Sequence, residues 1–75
     1  MDWNQMDDKM KRRQDANFVS CEERYELDYI KKALKECGCS NTDAEIDAAI
    51  TACCEQVPAP RPREKYLACL KSKLS

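Results

Sequence analysis

The apolar positions of this chain fall into three helical stripes. Leu27, Ile30, Leu34 and Cys37 recur at spacings of three and four, with Tyr25, Tyr29 and Ala33 beside them, which predicts a helix over about residues 21–37. "SCEE" opens it: Ser20 reads as the N-cap and Glu23 as the reciprocal N3 partner of a capping box. A second stripe, Ile46, Ala49, Ile50, Cys53 and Val57, predicts a helix over about residues 42–57. Thr42 can cap it with Glu45 at N3, and Pro58 stops it. After the stiff connector "PAPRP", Pro62 fits the first turn of a third helix over about residues 62–74, whose inward positions are Tyr66, Leu67, Leu70 and Leu74. The opening "MDWNQMDDKMKRRQDAN" shows neither a stripe nor strand alternation and reads as a flexible N-terminal arm, with Phe18 and Val19 the first residues to touch a core. The expected fold is therefore all-α: a flexible arm over 1–17 and a small three-helix domain over 18–75. Leu27, Ile30, Leu34, Ile46, Ile50, Leu67 and Leu70 should be buried in it.

Between the first two helices stands "CGC", the chain's one glycine between two cysteines. If Gly38 ends the first helix in a left-handed conformation, Leu34 and Cys39 occupy the two positions that touch across a Schellman cap. Cys37 continues the apolar stripe. Both sulfurs then have a packing role.

Composition narrows the chemistry. Hydrophobic residues make up 43% of the 75, enough for a small core, while 36% are charged and mean hydropathy is −0.79. Net charge is −1, which gives no global drive toward nucleic acid or a membrane. That charge is unevenly placed: residues 21–57 carry nine acids against four bases, and residues 58–75 carry five bases against one acid. Pairing between the acidic second helix and the basic third helix is expected to use part of it. The bases left for an acidic protein or a phosphate backbone are Arg12, Arg13, Arg61, Arg63, Lys71 and Lys73. A protein partner is favoured over nucleic acid, because a near-neutral chain steers a polyanion weakly.

The chain has no histidine, which removes histidine-dependent nucleophilic catalysis and the commonest zinc ligand. One glycine excludes Gly-rich phosphate loops. Carboxylate pairs such as Asp43 and Asp47 lie one turn apart on a polar helix face, where no cleft shifts their pKa values, so no enzyme is expected. If a metal binds, the thiolates of Cys37, Cys39, Cys53 and Cys54 are the candidate ligands for zinc or Cu(I), but neither pair has knuckle spacing. No cofactor is expected.

Six cysteines in so short a chain also permit a disulfide-stapled helical module. In an up-down arrangement Cys21 lies near Cys53 or Cys54, and Cys69 can approach Cys37 or Cys39. The twin-cysteine hairpins of the mitochondrial intermembrane space are a model for such a module. Their cysteines are nine residues apart, whereas fifteen separate Cys21 from Cys37 and Cys37 from Cys53 here. No apolar run reaches signal-peptide or membrane-spanning length, so buried, reduced thiols in a cytoplasmic monomer are the preferred reading.

The string "DDKMKRRQDANFVSCEERYELDYIKKAL", followed by Gly38, Ser40 and "EIDAAI", resembles a small bacterial family of unknown function. Asp7, Asp8, Lys9, Gln14, Asp15, Tyr25, Glu26, Leu27, Tyr29, Gly38 and Ser40 fall on its pattern, over about residues 7–54. The segment from Tyr29 to Gly38 is about three residues longer than in that family, and Ile30 stands where it has a tryptophan. The resemblance implies a bacterial cytoplasmic protein and carries no functional residue. It places Cys39 and Cys53 on positions the family fills with apolar side chains, again implying buried thiols. The combined expectation is a non-catalytic helical protein acting through an unidentified protein partner.

Overall fold

The computed structural model describes residues 1–12 and 17–74. Among them are four helices, α1 (Trp3–Lys11), α2 (Arg24–Glu36), α3 (Asp43–Gln56) and α4 (Arg63–Leu74), and a two-residue antiparallel ribbon of β1 (Phe18–Val19) and β2 (Arg61–Pro62). The three anticipated helices are α2, α3 and α4. The all-α, three-helix description is corrected by the added helix and by the ribbon.

Helix α1 forms where a flexible arm was expected. Asp2 caps it by accepting a hydrogen bond from the Gln5 N–H at 3.0 Å, and Lys9 and Lys11 sit in its last turn, where cations suit the helix dipole. Trp3, Met6 and Met10 make a narrow stripe at offsets of three and seven. It is diluted by charged neighbours, which is why it does not stand out in the sequence. Met6 and Met10 are nonetheless fully buried against the core, and flexible thioethers suit the irregular gap between α2 and α4. Packing, rather than propensity, holds α1 in place.

The end of α2 forms as the sequence requires. Gly38 has φ +92°, the Cys39 N–H donates to the Leu34 carbonyl at 3.0 Å and the Gly38 N–H to the Lys35 carbonyl at 3.2 Å. This is the Schellman pattern. The start of α2 differs. Its N-cap is Glu23, with no side-chain cap, and Ser20 is not part of the helix. The Ser20 N–H turns instead to the Glu26 carboxylate, because pairing of Phe18 with Pro62 and Val19 with Arg61 holds the preceding chain extended. Thr42 and Glu45 do form the capping box at the start of α3.

The core joins all four helices. Ile30, Leu34, Ile46, Ile50, Leu67 and Leu70 are buried as expected, with Tyr66 completely so, while Leu27 is half-buried at the edge. The Tyr66 hydroxyl donates to the Ile50 carbonyl at 3.3 Å, satisfying its polar end inside the α3–α4 interface. Pro62 pairs in the ribbon, one residue before α4 begins.

Two substitutions test these assignments. Gly38→Ala is expected to cost about 1 kcal/mol through backbone strain alone, since a Cβ there would meet Met1 only at an ordinary 3.8 Å. Met10→Ala should cost about 2–4 kcal/mol in denaturant unfolding if α1 belongs to the folded unit, and close to nothing if it does not.

Candidate functional site: the cysteine framework and the charged surface

Consecutive residues on a helix point about 100° apart. Cys53 and Cys54, adjacent on α3, therefore face different elements. Cys53 points into the core and meets Cys69 of α4, with a Cα–Cα distance of 5.8 Å; Cys54 meets Cys21, ahead of α2, at 6.0 Å. Both pairs are placed as disulfides, and both Cα separations lie within the range a disulfide spans. Cys69 thus pairs with Cys53 rather than with Cys37 or Cys39, which remain thiols. Cys53 is fully buried, as expected, and its sulfur faces that of Cys69.

The arrangement also bears on the metal alternative. Cys53 and Cys54 engage separate sulfurs from different faces of α3, so they do not join Cys37 and Cys39 in a four-thiolate set. Among the described residues no three Cys, Asp or Glu side chains are grouped to hold an ion. Cys37 is buried, and its burial, only partly offset by Lys9, pushes its thiol above the ordinary value. Cys39 is half-buried, and its thiol donates to Asn41 Oδ1 at 3.3 Å.

Arg61 closes the framework from outside. Its Nε donates to the Cys54 carbonyl at 3.2 Å, near the C-terminal end of α3, and its guanidinium pairs with Glu22 at 3.4 Å. Arg63 donates to Asp7 of α1 at 2.9 Å. The side chains of both arginines are close to nine-tenths covered. Both arginines are thus engaged within the chain.

The remaining members of the anticipated basic surface do not converge. Arg12 is exposed at the end of α1, and Arg13 lies outside the described residues, as do Gln14 and Asp15 of the resemblance. Lys71 borders the groove between α4 and α1, beside Trp3 and Glu64, whereas Lys73 borders the one between α4 and α3, beside Asn41 and Glu45. Two residues apart on a helix, they lie on opposite faces. Two acids of α3 are answered from α2: Lys31 pairs with Asp47 at 3.2 Å and Lys35 with Asp43. Hydrogen bonding and charge from Lys35 hold the Asp43 carboxyl below its ordinary range. No described helix is long and apolar enough to cross a membrane.

What sequence reasoning missed is the pairing of Arg63 with Asp7 in the N-terminal segment. The signal available was the matched charge of "MDD" against "RPR"; the fold that brings them together was not legible. Comparison with family models, curated proteins and solved structures gives no match for this chain.

The Asp7–Arg63 pair predicts a pH response. Burial raises the Asp7 pKa, but hydrogen bonds from Arg63 and Lys11 outweigh it and leave the carboxyl below its usual value. A lowered folded-state pKa contributes stability that is complete above the unfolded value and is lost as pH falls through the folded one. Asp7→Asn should therefore lower stability at neutral pH by about 1 kcal/mol and by progressively less as pH falls below the ordinary aspartate range, read from unfolding midpoints across an acid series.

Proposed function

We propose that the protein is a disulfide-stapled helical module that works through its surface on a protein partner, without catalysis of its own. The observation that carries the reading is the divergent use of Cys53 and Cys54, which ties the end of α3 to α4 on one side and to the entry of α2 on the other. A chain of 75 residues has too little core for wide stability margins, and this is the setting in which cross-links matter most. In the chain-entropy account, loops of 16 and 33 residues each contribute about 3–4 kcal/mol.

Oxidised pairs fit an oxidising compartment better than the cytoplasm suggested by the bacterial resemblance. In this reading the work belongs to the exposed surface, for the chain lacks histidine and the acid and base in the groove between α2 and α3, Asp47 and Lys31, are paired with each other. The dispersed lysines and internally paired arginines favour a protein partner over a phosphate backbone.

Intact mass under denaturing conditions tests the framework. The natively isolated chain should be four hydrogens lighter than the fully reduced one, two for each cross-link, and should leave two thiols to alkylate. Reduction should lower the unfolding midpoint sharply. An unchanged mass on reduction overturns the reading.

A further inference from the structure

With four of the six cysteines paired, the two remaining thiols stand two residues apart across the Gly38 turn. We propose that Cys37-Gly38-Cys39 is a redox-modification site that takes oxidising equivalents from a small-molecule disulfide, entering at Cys39 and closing to an intrachain disulfide with Cys37. The proposal rests on the stapled-module reading, because it assigns a role to the thiols that framework leaves over.

Three observations carry it. The first is access. Cys39 is half-buried at the surface, whereas Cys37 is 5% exposed, and the Asp2 N–H, bonded to the Cys37 carbonyl at 3.0 Å, holds the start of α1 across the turn. An external disulfide therefore reaches Cys39 first. The second is proximity. Cys37 belongs to the apolar core and Cys39 packs against that core, with a single residue between them in the chain. The third is backbone geometry. Consecutive Cα atoms are about 3.8 Å apart, so two peptide units hold Cys37 and Cys39 close along the chain, and the left-handed turn at Gly38, φ +92°, with the Cys39 N–H returning to the Leu34 carbonyl, folds that span back rather than extending it. The position that makes the helix cap also makes the pair.

The step balances with oxidised glutathione as the oxidant. The Cys39 thiolate attacks one glutathione sulfur, forming a mixed disulfide and releasing one glutathione thiolate, which takes up the proton Cys39 gave up. Cys37, losing its proton, then attacks the Cys39 sulfur and displaces the second glutathione. The two protein thiols are oxidised to one disulfide, and one oxidised glutathione is reduced to two thiols. Burial keeps the Cys37 thiol protonated in the resting state, so it acts second, once the mixed disulfide is beside it.

The experiment treats the folded full-length chain with excess oxidised glutathione and follows intact mass over time, in the wild type and in Cys37→Ser, Cys37→Ala and Cys39→Ser. Counting alkylatable thiols at the outset decides the stapled-module reading separately. The wild type should pass through a glutathione adduct and end two hydrogens lighter than it began. Both Cys37 variants should accumulate the adduct on Cys39, and Cys39→Ser should be modified at least about tenfold more slowly. The serine and alanine forms together separate loss of the resolving thiol from a disturbed core. Wild-type thiols that stay free, a wild-type adduct that never closes, or equal modification of the Cys37 and Cys39 variants would each overturn the proposal.

Discussion

The structure depends on the last turn of α3, where two adjacent cysteines commit the helix in two directions. Cys53 fixes the α3–α4 interface from within, beside the buried Tyr66 and Leu70. Cys54 fixes the approach to α2 from the outer side, and Arg61 holds the carbonyl of that same residue. Helical geometry makes this possible: two neighbouring side chains diverge by about 100°, so one turn serves two unrelated contacts. Because both links converge on residues 53 and 54, loosening this turn would free α4, the ribbon and the entry to α2 together. The turn needs such support, since α3 lacks a basic residue near its C-terminus to answer its dipole from within.

Helix α1 is held by weaker and more numerous forces. Two buried methionines supply the apolar area, Arg63 and Lys9 supply ion pairs to Asp7 and Glu36, and the Tyr29 hydroxyl donates to the Lys9 carbonyl at 2.8 Å. The Lys9–Glu36 pair is long and open to solvent, so it adds little. Arg63 is mostly covered and makes the better contact. Two of the charges that look like a docking surface along the chain, Arg61 and Arg63, are in this way turned inward, onto the end of α3 and the N-terminal segment.

How much of this was legible in the sequence follows from the range of each interaction. The Gly38 cap and the Thr42 capping box form because all their partners lie within five residues, so nothing distant competes with them. The box at Ser20 carries an equally good local signal and fails, because a cross-link at Cys21 and a ribbon with residues 61–62 bind its neighbourhood to chain some forty residues away. The stripe of Trp3, Met6 and Met10 is visible afterwards. Its two methionines are buried only because α2 and α4 leave a gap of suitable shape, which no local pattern encodes. Disulfide partners belong with the long-range class: spacing placed Cys21 near the end of the second helix correctly, and could not choose between Cys53 and Cys54.

That division of ranges also explains why the CGC turn supports both a structural and a chemical reading. A left-handed glycine is needed to return two carbonyls of α2 to hydrogen bonds, and the requirement is indifferent to which side chains flank it. An apolar residue at position 37 would fill the core as well as the thiol does, and an apolar residue at position 39 would serve the contact with Leu34 better than a half-buried thiol. Packing thus accounts for small apolar side chains at these sites without accounting for sulfur at both. What sulfur adds is the capacity to form a covalent bond across a turn whose geometry is already set. A disulfide there would close a very short loop, so it would add little conformational restriction of the unfolded chain compared with the two longer links. Stability is therefore a poor reason for the pair, and redox response is a better one.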